Sequence, residues 1–222
     1  MKNSILDILI NPDVFFGNLV TEKESFKLPA LIVLTGAIIG AIYGYLVSGL
    51  TGRMLAGLMP GMDTIVTITA VAGALFGAVL FWPIWTGVFF IISKIFKGTG
   101  SYKRCLEVVG YGFLPQIIGS LITLVVLLQY VPKIVVPQLT SAALKDPTLI
   151  TAAAKALMHD PAMMELIQIT AVISIVFLLW SANCWIFGMK HARMLSMRDA
   201  AICVGAPVFV YVLYIVYSMA GV

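Results

Sequence analysis

Five apolar runs divide the chain, and its ionisable residues collect between them. Positions 28–50, 64–93, 108–130, 166–188 and 200–220 contain no Asp, Glu, Lys, Arg or His. Each run has the roughly twenty residues that a helix needs to cross a bilayer. None alternates apolar and polar positions, so the pattern does not predict a membrane barrel. The predicted fold class is all-α, a polytopic membrane protein built as a bundle of five transmembrane helices.

The segments between the runs are also patterned. Residues 5–20 read as a helix too short and too polar to span. Asn11 is placed to cap it, Pro12 to occupy the first helical position, and Asp13 to sit in the first turn, where the helix dipole favours a carboxylate. Phe15, Phe16, Leu19 and Val20 fall on one face. That face fits either an interfacial helix buried in the headgroup region or one packed on the bundle. The 131–165 loop is the longest, and Asp146-Pro147 and Asp160-Pro161 each predict a helix start within it. A helical outer loop follows, its second helix running into the fourth span. It covers the outer mouth, lies on the membrane, or contacts a second copy.

Composition and charge sharpen this picture. Hydrophobic residues make up 61% of the chain and charged ones 11%, with mean hydropathy +1.04. A soluble domain carries about a quarter charged residues, so this chain lacks the polar surface to cover itself. The net charge of +4 does not call for nucleic acid, because its distribution fits a membrane. With the N-terminus inside, Lys2, Lys23, Lys27, Lys94, Lys97, Lys103, Arg104, Lys190, Arg193 and Arg198 fall on the cytoplasmic side. Only Arg53, Lys133, Lys145 and Lys155 fall outside. This asymmetry predicts N-inside and C-outside. The expected location is a membrane, crossed several times. Asp7 interrupts the only early apolar run, so no cleavable leader is expected.

Small residues at intervals of four predict close helix packing. Gly36, Gly40, Gly44 and Ser48 form such a row in the first span, and Gly73 and Gly77 in the second. They suit packing of these two helices on each other, or homodimerisation through the same row. Pro83, Pro115 and Pro207 predict kinks, each removing a backbone donor from its span. The spans hold no ionisable group of the kind that proton relays and ion-coupled transport use. Gln116, Gln129, Gln168 and Asn183 fit interhelical hydrogen bonds. Cys105, Cys184 and Cys203 form no CxxC pair and read as free buried thiols. His159 and His191 fall on opposite sides, so no metal, catalytic or cofactor site is predicted. Glu107 is expected to pair with Arg104 or Lys103 as an exposed surface pair.

The stretch KGTGSYKRCLEVVGYGFLP, residues 97–115, lacks the GxxxxGK[ST] spacing of a phosphate loop. It reads as a turn at the membrane surface leading into a proline-kinked helix. Lys97, Lys103 and Arg104 would face anionic headgroups, and Tyr102 would keep its hydroxyl in water. With Gly98, Gly100, Gly110, Tyr111 and Pro115, this stretch resembles the central motif of the Yip-domain family of Ypt/Rab-interacting membrane proteins. Asn11-Pro12-Asp13-Val14-Phe15-Phe16, Pro29 before the first span and the segment WSANCWIFGMKHARMLSMRDA (180–200) carry the same likeness. The resemblance covers most of the chain. It implies five spans, a cytoplasmic N-terminus, and Gly98, Gly100, Tyr102, Lys103, Arg104, Gly110, Tyr111 and Pro115 as candidates for contact with a partner or lipid. Eukaryotic members are associated with vesicle traffic and small GTPases, but commonly carry a long polar N-terminal region. Here about 27 residues precede the first span, as in short prokaryotic members, so the resemblance implies a prokaryotic plasma membrane and does not imply GTPase binding. The expected function is a non-enzymatic membrane protein that binds membrane-protein partners or organises lipid. The alternative is a small-solute permease or channel component.

Overall fold

The computed structural model describes residues 5–58 and 61–219; Lys2, and Ala220 at the end of the fifth predicted span, lie outside them. The order of elements is α1 (Ile5–Ile10), α2 (Pro12–Leu19), α3 (Lys27–Leu55), α4 (Met62–Ile95), α5 (Tyr102–Tyr111), α6 (Leu114–Tyr130), α7 (Pro147–Met158), α8 (Pro161–Arg193) and α9 (Met197–Met219). Two 3₁₀ turns, Val131–Lys133 and Ser141–Leu144, lie between α6 and α7. No strand occurs among the described residues. Five segments are long and apolar enough to cross a membrane: α3, α4, α5 with α6, α8 and α9.

Helix ends follow local chemistry. The Asp146 carboxylate accepts from the Thr148 N–H and the Asp160 carboxylate from the Met163 N–H, capping α7 and α8. At its other end α8 carries Lys190, His191 and Arg193 in the last turn, where the negative end of the dipole favours cations. Asn11 makes no side-chain cap, and the chain breaks there into two short helices instead of one. Ile8, Phe15, Phe16 and Leu19 are buried, and α2 packs against α8. Of the two sequence readings for this face, packing on the bundle is the one observed.

The third span is broken rather than kinked. α5 ends at Tyr111 and α6 begins at Leu114. At the break the Phe113 N–H turns to the Gly110 carbonyl, 3.3 Å away, in a tighter i→i−3 bond. The Val109 carbonyl accepts the Trp185 indole N–H at 2.9 Å. Pro115 falls in the first turn of α6, where its missing N–H would be unsatisfied anyway. Pro83 and Pro207 do lie inside helices, in α4 and α9.

The helices close into a ring. α3 packs on α4 and α6, α6 on α8, α8 on α9, and α9 on α4. α5 packs on α3, α4 and α8, filling one end of the ring. Two apolar cores result. The larger, around Phe16, Phe89, Val108, Trp185 and Cys203, occupies the end that holds the 97–101 turn. The smaller lies at the opposite end, where Leu139, Ala143, Ala153 and Leu157 of the long loop cover Leu50, Leu127 and Leu166.

Candidate functional site

The residues that the sequence singles out from 97 to 115 are brought together with partners far away in the chain. Arg193, the last residue of α8, holds the turn. Its guanidinium donates to the Gly98 and Gly100 carbonyls and, at 2.9 Å, to the Ser93 hydroxyl of α4. It also stands 4.4 Å from the centre of the Phe90 ring. The residue is only 3% exposed, so these contacts replace nearly all of its hydration. α4 and α8 both end beside it, and the negative ends of two helix dipoles therefore face the cation.

The turn in response lies flat against α8. The Gly98 N–H donates to the Ser93 carbonyl at 2.9 Å and the Thr99 N–H to the Arg193 carbonyl at 3.0 Å. Gly100 has φ +99°, and a Cβ there would overlap the Ala192 carbonyl oxygen. A Cβ at Gly98 would stand 3.0 Å from the Ser93 carbonyl oxygen. These two glycines are required by close backbone approach, not by an anion.

The Arg104–Glu107 pair is buried, which corrects the expectation of an exposed surface pair. The nitrogen–oxygen distance is 2.6 Å, and the Glu107 side chain is wholly enclosed. Glu107 also accepts from the Ser25 N–H at 3.0 Å, while Arg104 reaches the Leu19 and Glu22 carbonyls. Arg104 therefore binds the N-terminal segment instead of lying free at the surface. Glu24 accepts from the Ser101 hydroxyl at 2.6 Å, and Ser101 caps α5 by accepting from the Arg104 N–H. Asp13 of α2 meets Lys190 at 2.7 Å and His191 at 2.6 Å. The hydrogen bonds from Lys190 and His191 hold the Asp13 carboxyl below its ordinary range.

Tyr102 also differs from expectation. Its hydroxyl donates to the Pro83 carbonyl at 2.8 Å, and its ring meets Phe90 edge-on at 5.4 Å. Gly110 admits α3 and α4, since a Cβ there would lie 2.6 Å from Pro29 and 2.9 Å from Trp82. Tyr111 is buried with its ring 5.3 Å from Phe15. Lys103 stays exposed, as do Lys23, Lys27, Lys94 and Lys97 around the same end. All three cysteines are free and buried.

The small-residue rows divide. A Cβ on Gly44 would lie 3.3 Å from the Ala70 carbonyl oxygen, and the Ser48 hydroxyl donates to that of Thr67 at 3.3 Å, so this part of the row packs α3 on α4. Gly36 faces Ile117 of α6. Gly73 and Gly77 are exposed on α4, and a Cβ on either would meet nothing within 4 Å.

Sequence reasoning missed Arg193 as the organising residue and Glu107 as a buried group. The nearest signal is their placement: Glu107 directly precedes the 108–130 run and Arg193 lies five residues past the 166–188 run, each near a segment that must turn sharply. No group of three or more His, Cys, Asp or Glu side chains able to hold a metal occurs among the described residues.

The Yip1 domain family matches residues 6–219. An uncharacterized protein of Methanocaldococcus jannaschii is 37% identical over 121 residues, which are 54% of this chain and 86% of that protein. No solved structure matches the chain.

Proposed function

Since the chain belongs to the Yip1 domain family, we propose that it is a non-enzymatic integral membrane protein that binds other membrane proteins through the end bearing the 97–101 turn. One observation carries the reading. The motif's polar groups are spent on fixing the turn, α5 and the N-terminal segment to one another, while Lys97 and Lys103 stay exposed on that fixed surface. A rigid, basic, shaped surface suits recognition, because little ordering is left to be done on binding. In this proposal the surface faces the cytoplasm, following the excess of Lys and Arg on that side.

The test is photo-crosslinking from position 103 in native membranes, with adducts identified by mass spectrometry. Position 103 is preferable to 102, where a probe would break the hydrogen bond to Pro83. A recurrent single membrane-protein adduct supports the proposal. Adducts to lipid alone would make this surface a headgroup contact and overturn partner binding.

A permease reading has one observation in its favour, an uncharged cavity inside the ring lined by Gln116, Ser120 and Thr123. It predicts solute flux in proteoliposomes. The apolar cores at both ends of the ring weigh against an axial path.

A further inference from the structure

That cavity has about 450 Å³ and lies between α3, α6, α8 and α9 at the middle of their lengths. Its apolar walls include Ile39, Phe177 and Leu178, and no charged residue lines it. A smaller space of about 160 Å³ lies between α3, α4 and α6, and Gln116 and Ser120 line both. The Gln116 side-chain nitrogen is buried without a hydrogen-bond partner. An unmet amide at this depth is costly, and its N–H groups need an acceptor. The Ser120, Thr170 and Ser174 hydroxyls already donate to carbonyls of their own helices, which leaves oxygen lone pairs to receive a donor.

Access is lateral. Toward the 97–101 turn the ring is filled by aromatic rings: Phe113 and Trp185 stand 5.2 Å apart, Trp85 and Trp185 6.0 Å. Toward the other end Leu50, Leu127, Met163 and Leu166 close it. α9 and α4 touch near Tyr211, Trp85, Phe89 and Cys203. Beyond Tyr211, α9 exposes Leu213, Tyr214, Val216 and Tyr217. The facing half of α4 exposes Ile65, Ile68 and Phe76. Tyr211 and Ser174, both lining residues, are themselves exposed. The cavity thus opens sideways, toward the acyl chains of a bilayer.

We propose that the ring cavity binds an uncharged lipid bearing a hydroxyl and carbonyl groups, whose carbonyl oxygen accepts from the Gln116 amide and whose alkyl chains leave past Tyr211 and Ser174. Absence of charge in the wall excludes a preference for phosphate headgroups. The volume is at the low end of ligand sites and holds a polar end with the first chain carbons. This site is separate from the proposed partner surface and stands or falls independently of it.

The test uses the full chain in nanodiscs and a diazirine-bearing diacylglycerol as probe. Gly40 lines the cavity, and a Cβ there would meet nothing within 4 Å, so Gly40→Leu fills the space without a steric clash at its Cβ. Gly77→Leu places the same side chain on an exposed position as control. We expect labelling of peptides around Gln116 and Tyr211 in the wild type and in Gly77→Leu. It should fall at least tenfold in Gly40→Leu and several-fold in Gln116→Leu, with unchanged thermal midpoints. Excess unlabelled diacylglycerol should compete and excess free glycerol should not. Equal labelling in Gly40→Leu with its thermal midpoint unchanged, or competition by glycerol as effective as by the lipid, overturns the proposal. Should Gly40→Leu unfold, Gln116→Leu decides alone, and unchanged labelling there overturns it.

Discussion

The two ends of the helix ring are built on different principles. At the end with the 97–101 turn, charged groups are taken out of water and tied to backbone: Arg193 to two glycine carbonyls, Arg104 to Leu19 and Glu22, Glu107 to Ser25. At the other end a short apolar core covers the ring, and the surface carboxylates Asp146 and Asp160 cap helices, Asp160 also accepting from the Val135 N–H. Buried charge adds little net stability, but it penalises every arrangement that leaves it unpaired. The first end is therefore specified to one geometry, while the second is closed more loosely by burial. A surface meant for recognition needs the first kind of construction.

The largest effect should follow removal of the organising cation. Arg193→Met leaves the Gly98 and Gly100 carbonyls and Ser93 without their donor, and each buried acceptor left unpaired costs about 1–3 kcal/mol. Thermal denaturation in detergent should show a large drop, whereas Leu139→Ala in the opposite core should cost about 2–4 kcal/mol and leave the 97–101 turn intact.

Next come the glycines. A Cβ on Gly112 would overlap the Trp185 indole, so Gly112→Ala should destabilise by about 1–3 kcal/mol. Gly73→Ala and Gly77→Ala meet nothing and should be neutral or stabilise by up to about 1 kcal/mol through helix propensity. A clear loss at Gly73 or Gly77 would mean that this exposed row is covered by something else.

Smaller again are the caps at the far end. Asp160→Ala and Asp146→Ala should each cost about 1 kcal/mol and fray α8 or α7 without disturbing the 97–101 turn. Circular dichroism and local hydrogen exchange distinguish fraying from global loss.

The smallest effect is acid-dependent. Lys190 and His191 lower the Asp13 pKa, so its link between α2 and α8 is at full strength above the ordinary value of 3.8. The link weakens as pH falls through the lowered folded value. Hydrogen exchange over residues 12–19 should rise only in strong acid, and Asp13→Asn should show the raised exchange at neutral pH.

Much of the bundle was legible in the chain because hydropathy reports on the bilayer directly. The five apolar runs fall in five segments long and apolar enough to cross a membrane, and Asp146 and Asp160 announce the starts of α7 and α8. The helix of the third span extends beyond its apolar run for a physical reason. Lys103, Arg104 and Glu107 look like a solvated boundary in front of the run at 108. The helix begins at Tyr102, because Arg104 and Glu107 satisfy each other and the backbone near residues 19–25, about eighty positions away. No local pattern reveals such partners. Phe15, Phe16 and Leu19 likewise show an apolar face without showing that α8 covers it. The glycine rows of the first two spans look alike in the sequence, yet Gly44 packs and Gly73 does not, since only the ring's geometry decides which face turns inward.

The most direct test of the central claim is amide hydrogen exchange on the chain in nanodiscs. Gly98 and Thr99 donate to the Ser93 and Arg193 carbonyls, and a turn locked by Arg193 should protect both amides as strongly as the neighbouring end of α8. In Arg193→Met that protection should disappear while the N-terminal half of α8 keeps its own. Fast exchange at Gly98 and Thr99 in the wild type, or protection unchanged in Arg193→Met, would contradict a rigid recognition surface organised by this arginine.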